Sequence, residues 1–251
     1  MGTTADKLNK LLETKQAIRQ AIINKGVDVE ENTVFADYPS RIAAIQTGSG
    51  EGGSGSDAFF NMRTQNGTNM NFLFYSFPGS ELDLSNFDTS KAMHMDNMFY
   101  SCYGLTSLDL SSFDTGQVQY MNYMFAYCGI LNSLNVSSFN TSNVYSMAGM
   151  FNGCSALTEL DLSHFNTGNV QDMNSMFSGC NILNSLNVSG WDVSNVANMN
   201  SMFNSCGLTS LDLSGWDVSN VTDMSVMFAY NYSLKELNLS GFLTHSVQNM
   251  N

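Results

Sequence analysis

Five cysteines recur at a constant interval, and the thiol has the broadest chemistry of any side chain in this sequence. They are Cys102, Cys128, Cys154, Cys180 and Cys206, each three residues after a phenylalanine. Thiolates form disulfides, bind metals and act as nucleophiles. On stacked coils, neighbouring thiols would lie about 4.8 Å apart with parallel side chains, wider at Cβ than a disulfide prefers. We therefore expect buried free thiols that fill the core, with disulfides or a metal ladder as alternatives.

The three histidines, which could serve a nucleophile or a metal, occupy three different positions of a repeat. They are His94, His164 and His245. Side chains at different repeat positions do not converge, so we expect neither a histidine metal site nor a shared general base. The sequence also has no glycine-rich phosphate loop after a strand. We predict a protein that is not an enzyme and has no catalytic residue, cofactor or metal.

An aspartate or asparagine stands between two aliphatic residues once in every repeat. These residues are Asp83, Asp109, Asn135, Asp161, Asn187, Asp212 and Asn238. Stacked on parallel strands, they would form a ladder of carboxylates and amides. Ca²⁺ needs six to eight oxygens that converge on one point, which a straight ladder does not supply. We expect hydrogen bonds along the ladder, with an ion site as the alternative.

Tyrosines crowd two adjacent repeats and reach into a third. They are Tyr100, Tyr103, Tyr120, Tyr123, Tyr127 and Tyr145. Exposed tyrosines beside asparagine and glutamine are suited to stack on a saccharide or a protein partner. Ordinary surface variation also produces such clusters. These six residues are nevertheless the best candidate partner-binding patch in the sequence.

The elements that must position these side chains are copies of one unit. The first leucine of Leu-(Asp/Asn)-(Leu/Val)-Ser recurs at steps of 26, 26, 26, 26, 25 and 26 residues. The markers are Leu82, Leu108, Leu134, Leu160, Leu186, Leu211 and Leu237. A fixed period of this length is typical of a solenoid, because one unit buries its apolar face only against a copy of itself.

Each unit shows two hydrophobic periods. Alternation around Leu160 and Leu162 predicts a short strand, paired in parallel with its copies in one sheet, with both leucines inward. A second set is spaced like one face of a short helix, and comprises Val170, Met173, Met176 and Phe177. The serine before that helix would be its N-cap in four copies, at Ser90, Ser142, Ser194 and Ser219. The expected fold is an α/β repeat with one short parallel strand and one short helix per 26-residue coil.

The unit reads Leu-Asp-Leu-Ser-x-Phe/Trp-Asp-Thr/Val-Ser-x-Val-x-x-Met-x-x-Met-Phe-x-x-Cys. Over residues 70 to 251 this pattern resembles the BspA-like leucine-rich repeats, in the subfamily first noticed in mycoplasma surface proteins. The resemblance implies a right-handed leucine-rich-repeat solenoid used for adhesion or recognition at a cell or virion surface, without catalysis. We assign the solenoid to residues 57–251. The last coil is degenerate, so we expect either another chain to cover its edge or the chain to be truncated at Asn251.

The segment before the repeats has a different character. Leucines and isoleucines recur at steps of three and four, with Lys15 in one position of the pattern, and predict a helix. This helix either packs on its own neighbour or forms a docking or oligomerisation seam, for which the candidates are Leu8, Leu11, Leu12, Ile18 and Ile22. A second helical pattern follows, so residues 1–46 should form a helical hairpin that acts as an anchor. Residues 5 to 46 resemble the N-terminal segment of phage tail-fibre and related virion-appendage proteins. Residues 47–56 are a Gly/Ser linker, either natural or engineered.

Charge and hydropathy exclude several classes of function. After residue 56, three cations face fifteen acids, which leaves a net charge of 3 − 15 = −12. A field of this sign repels nucleic acids and anionic membranes. No run of 18 apolar residues exists, so we expect no membrane insertion, and the polar first residues show no secretory signal.

These features predict a structural and adhesion protein of a phage virion that forms a homo-oligomer. Residues 1–46 would dock on other virion proteins, and the solenoid would contact a host surface protein or glycan. The alternative is a bacterial cell-surface adhesin with the same repeats. A cytoplasmic scaffold or regulator is a third possibility, which a genomic neighbourhood free of virion genes would favour.

Overall fold

The computed structural model describes residues 68–85 and 87–251. The predicted N-terminal hairpin, its seam residues and the Gly/Ser linker lie outside the described residues. Over the described ranges the chain is a solenoid whose coils repeat every 25 or 26 residues, as isolated bridges such as His94 to Tyr120 and Asn198 to Asp223 show. The prediction of a leucine-rich-repeat solenoid is confirmed, and its right-handedness stays a prediction.

Six short strands form one face of the solenoid over the residues that the structure describes. They are β1 (Ser107–Asp109), β2 (Ser133–Asn135), β3 (Glu159–Asp161), β4 (Ser185–Asn187), β5 (Ser210–Asp212) and β6 (Glu236–Asn238). Each pairs in parallel and in register with a copy of itself, so that Leu108 lies beside Leu134. Leu160 and Leu162 are buried and Asp161 is exposed, which confirms the predicted orientation of the strand.

The expected single sheet is wrong, because the strands pair two by two. β1 pairs with β2, β3 with β4 and β5 with β6, giving three two-stranded sheets. Each pair joins a strand that ends in aspartate to a following strand that ends in asparagine. The segment Ile-Leu-Asn-Ser-Leu-Asn-Val occurs identically at 130–136 and 182–188, once in each of the first two pairs. The structural unit of the strand face is therefore two coils long.

The predicted short helix is also wrong, since a run of turns occupies its place in every coil. These turn segments cover residues 70–77, 95–102, 121–128, 147–154, 173–180, 199–206 and 224–231. In the second segment, the N–H groups of Met98 and Tyr100 donate to carbonyls three residues back, at 3.3 and 3.1 Å. The N–H groups of Asn97 and Phe99 instead donate at 2.8 Å to carbonyls of the next coil. Half of the backbone donors are thus used between coils, whereas an α-helix would use them within one coil.

Left-handed residues explain why the turns do not become helices. Each segment has two residues with positive φ, four positions apart, for example Asn97 at 58° and Ser101 at 58°. A residue in this conformation interrupts a right-handed helix. The serines predicted as N-caps lie in other turns, because the N–H of Ser90 donates at 3.0 Å to Asp88, two residues earlier.

The core is a set of ladders that run through all coils, as predicted. The turn-segment phenylalanines stack face to face, with Phe125 and Phe151 at 5.6 Å and Phe151 and Phe177 at 5.7 Å between ring centroids. Methionines such as Met147 and Met150 are fully buried beside them. No helix in the described part of the chain is long and apolar enough to cross a membrane.

Candidate functional site

The five cysteines are buried free thiols, in agreement with the expectation that they fill the core. Each thiol also donates a hydrogen bond to a phenylalanine carbonyl of the preceding coil, as Cys154 does to Phe125 at 3.0 Å. Burial raises the pKa of the Cys206 thiol to about 12, and it raises the pKa of Cys154 as well. A neutral, enclosed thiol is a poor nucleophile and a poor metal ligand. The cysteine ladder is therefore part of the scaffold.

Asn231 replaces cysteine in the last coil and makes more contacts than a thiol does. Its Nδ2 donates to the carbonyls of Phe203 at 2.7 Å and Phe228 at 3.0 Å. Its Oδ1 accepts the N–H of Cys206 at 2.7 Å. The amide thus connects two coils where a cysteine would provide one weak donor.

The predicted ladder of aspartates and asparagines serves mainly to cap turns. Asp109 accepts the N–H of Ser111 at 3.0 Å, and the same bond recurs at each copy. This hydrogen bond holds the pKa of Asp109 below its usual value, and the pKa of Asp161 is lowered by the side-chain and backbone hydrogen bonds of Ser163. Asn135 donates to Asp109 at 2.9 Å, which confirms hydrogen bonding along the ladder at this step.

Neither the carboxylates nor the histidines gather into an ion site within the ranges that the structure describes. No group of three or more His, Cys, Asp or Glu side chains there could hold a metal. His94 stacks on Tyr120, and His164 reaches the carbonyl of Val136 at 3.1 Å. His245 is exposed on the last coil.

The structure brings most of the candidate tyrosines together in two places, of which the first is a column along the turn segments. Tyr75 and Tyr100 stack with their rings parallel and their centroids 5.1 Å apart. Tyr127 meets Tyr100 edge to face at 5.3 Å. Burial raises the pKa of Tyr100, and the neighbouring phenols Tyr127, Tyr75 and Tyr123 raise it further. We call Tyr75, Tyr100, Tyr123 and Tyr127 the tyrosine column.

Two members of the column occupy strained backbone positions. Tyr123 and Tyr127 have φ values of 55° and 60°, where bulky side chains are rare. The next coil has glycine at both equivalent positions. A Cβ on Gly149 would lie 2.2 Å from the ring of Tyr123, and one on Gly153 would lie 2.9 Å from the ring of Tyr127. The glycines are therefore needed to receive the two rings.

The second place is a groove on the adjoining segments. His94 and Tyr120 stack in parallel at 5.3 Å, and Tyr145 follows Tyr120 at 6.3 Å with its ring tilted by 50°. A groove of 480 Å³ opens beside these rings. It is lined by Tyr120, Asn122, Tyr145, Ser146, Gln171 and Asp172. We call it the Tyr145 groove.

Tyr103 is the one predicted candidate that lies apart. It is 60% exposed after the second turn segment, and among the described residues it makes no ring contact with the other tyrosines. Six residues of the column and the groove were not predicted as site residues, and they are Tyr75, His94, Asn122, Ser146, Gln171 and Asp172. A strict alignment of coils would have found the first two, since the bridges place Asn69 beside His94 and His94 beside Tyr120.

The family whose model matches the chain is described as "Mycoplasma protein of unknown function, DUF285", and the matched residues are 55–134, 109–213 and 182–251. This match agrees with the resemblance to BspA-like leucine-rich repeats. It begins at residue 55 and leaves the resemblance of residues 5 to 46 to tail-fibre proteins unsupported.

Among solved structures, the chain is similar to a leucine-rich repeat protein from Bacteroides ovatus, with 15% sequence identity and a TM-score of 0.27. The alignment covers 65% of this chain and 52% of that protein, so the chain spans about half the length of the protein it matches. This likeness carries no argument about function. No curated protein matches the chain.

Proposed function

We propose that this chain, which belongs to the DUF285 family, is a non-enzymatic recognition protein that contacts its partner through tyrosines in its turn segments and in the residues just before them. The observation that carries the proposal is the clustering of Tyr100, Tyr123 and Tyr127 with Tyr75, and of Tyr120 with Tyr145. Tyrosine supplies a large, rigid contact area at a low entropic cost. Surface aromatics held by their neighbours are thus prepared for binding before a partner arrives.

The backbone places two rings of the column on one coil. Each described turn segment has two left-handed positions, and nine of these fourteen positions hold Asn, Ser or Gly. Tyr123 and Tyr127 occupy both such positions of one segment, where a residue other than glycine costs about 1–3 kcal/mol. The turn therefore presents two tyrosines of the column four residues apart.

The proposed place of action rests on the resemblance of the N-terminal segment. We propose that residues 1–46 dock the chain on a phage virion as a homo-oligomer, because their pattern resembles that of virion-appendage proteins. A bacterial cell-surface adhesin is the second candidate, and it is favoured by the family match to bacterial proteins.

Immunogold electron microscopy separates the two locations. An antibody against the solenoid is applied to purified particles and to intact bacteria of the source culture. Labelled particles would support the virion proposal, and labelled cells would support the adhesin. Labelling of broken cells alone would refute both.

Contact through the tyrosine column and the Tyr145 groove is tested by flow cytometry, which measures how much fluorescently labelled full-length chain binds to intact bacteria. Tyr100→Ala and Tyr145→Ala should each reduce the bound signal. Tyr232→Ala is the matched control, since Tyr232 is 91% exposed on the last coil. Equal binding by all variants would show that the tyrosines are not the contact surface.

A further inference from the structure

We propose that the Tyr145 groove binds a linear, uncharged oligosaccharide, an inference that rests on the proposed recognition function and names its ligand class. The groove combines two aromatic rings with amide, hydroxyl and carboxylate groups in a volume of 480 Å³. A sugar residue has an apolar C–H face and a rim of hydroxyls. Rings that stack and polar groups that converge beside them are complementary to both features.

The rings are positioned by their neighbours. Tyr120 is held by its parallel stack on His94, and Tyr145 comes from the following coil at 6.3 Å. Tyr145 is 42% exposed, so part of its ring is open to a ligand. Because the two tyrosines come from consecutive coils, a saccharide chain that runs along the solenoid axis would meet one ring per coil.

Two polar atoms of the groove face solvent and make no hydrogen bond to the described part of the protein. Asn122 Oδ1 accepts the N–H of Ala148 at 3.1 Å and the hydroxyl of Ser146, which fixes the amide. Asp172 Oδ1 accepts the N–H of Asn174 at 2.9 Å. Within the described ranges, no hydrogen bond uses Asn122 Nδ2 or Asp172 Oδ2. The groove thus offers a fixed donor and a fixed acceptor to ligand hydroxyls.

A small residue follows the first ring of the groove in the next coil. Ser146 pairs with Tyr120 of the preceding coil, and both residues line the groove. The large ring of Tyr120 is thus followed by a small side chain, which leaves more room beside Tyr145 than a second ring would.

The negative charge of the repeats favours a neutral ligand over an anionic one. The repeats carry a net charge of −12, and neither Lys91 nor Lys235, the cations of the described ranges, lines the groove. Anionic saccharides would therefore be repelled. Asp172 is the one carboxylate in the lining, and a single exposed ion pair would contribute little to binding a basic peptide.

The test is isothermal titration calorimetry of the full-length chain with cellotetraose, N-acetylchitotetraose, maltotetraose and mannotetraose. At least one should bind, and Tyr145→Ala should weaken that binding by about tenfold or more. Tyr145→Phe keeps the ring and should keep most of the affinity. Tyr103→Ala is the matched control, because Tyr103 is exposed away from the groove, and it should leave the affinity unchanged. Thermal melting of each variant verifies that it is folded.

Several outcomes would overturn the proposal. One is the absence of binding by every neutral oligosaccharide up to about 10 mM. Another is binding of tetragalacturonate or tetralysine in the groove in place of the neutral sugars. Equal effects of Tyr103→Ala and Tyr145→Ala would also overturn it. If Tyr145→Ala abolishes binding to bacteria while no oligosaccharide binds, the recognition function stands and the saccharide inference fails.

Discussion

Phe151 lies at the middle of the aromatic ladder, and replacing it tests whether that ladder holds the coils together. Its side chain is fully buried, with Phe125 stacked on one side at 5.6 Å and Phe177 on the other at 5.7 Å. Phe151→Ala removes both stacks and leaves a cavity between coils. Truncation of a buried phenylalanine costs about 3–5 kcal/mol. Because both faces of the ring are occupied, we expect a loss near the upper end of that range.

The matched variant is Phe228→Ala at the last coil. Phe228 is half-buried and has one stacking neighbour, Phe203, at 5.8 Å. One lost stack contributes about 0.5–1.5 kcal/mol beyond the area it buries. The same chemical change should therefore cost about half as much here, or less, as it does at Phe151.

Urea unfolding gives the free energies, followed by far-UV circular dichroism and by the fluorescence of Trp191 and Trp216. In a chain of this size, each kcal/mol shifts Tm by about 2–4 °C, so Phe151→Ala should lower Tm by at least about 8 °C. A loss below about 1 kcal/mol at Phe151, or equal losses in both variants, would refute the view that the stacked rings carry the cohesion of the coils.

Three further predictions concern the polar and thiol ladders. Asn231→Cys should destabilise the protein by about 1–3 kcal/mol in urea unfolding, because one weak thiol donor replaces the two amide hydrogen bonds to the carbonyls of Phe203 and Phe228; greater stability would contradict this. The five thiols should react with DTNB only on unfolding, since all five are buried; fast reaction in native buffer would show that a thiol is accessible. Acid should lower Tm, because hydrogen bonds hold the pKa values of Asp161 and Asp212 below 3.8 in the folded state. This contribution is complete above about pH 5, is reduced as the unfolded-state carboxyls take up protons, and is lost as the pH falls through the folded pKa values. Asp161→Asn keeps the turn cap and should reduce the acid sensitivity, and a Tm that does not change with pH would contradict the assignment.

Much of the scaffold was readable from the residues. The spacing of the marker leucines requires stacked coils, and alternation around Leu160 places its side chain inside, because an isolated coil has no other way to bury it. The inward positions of the methionines, phenylalanines and cysteines followed from the same argument. Because every coil repeats the same sequence pattern, the inward positions of one coil predict those of the others, and the stacked side chains form ladders.

The helix prediction failed because a short helix and the observed run of turns give inward residues the same spacing. Met173, Met176 and Phe177 have the spacing of a helix face, yet they line a run of turns whose alternate N–H groups bond to the next coil, as Phe177 does to Met202 at 2.9 Å. Side-chain spacing reports which residues face inward. It does not report which carbonyl a backbone donor will find.

The candidate site was likewise predicted in part from the sequence and in part only visible in the fold. The tyrosine cluster was visible from composition, but its separation into a column and a groove depends on stacking across coils, such as Tyr75 on Tyr100 at 5.1 Å. Period, inward faces and net charge are local properties that repeat with the chain. The pairing of strands, the choice between helix and turns and the shape of the groove arise between coils, where backbone groups and rings from distant residues meet, so they became visible in the folded molecule alone.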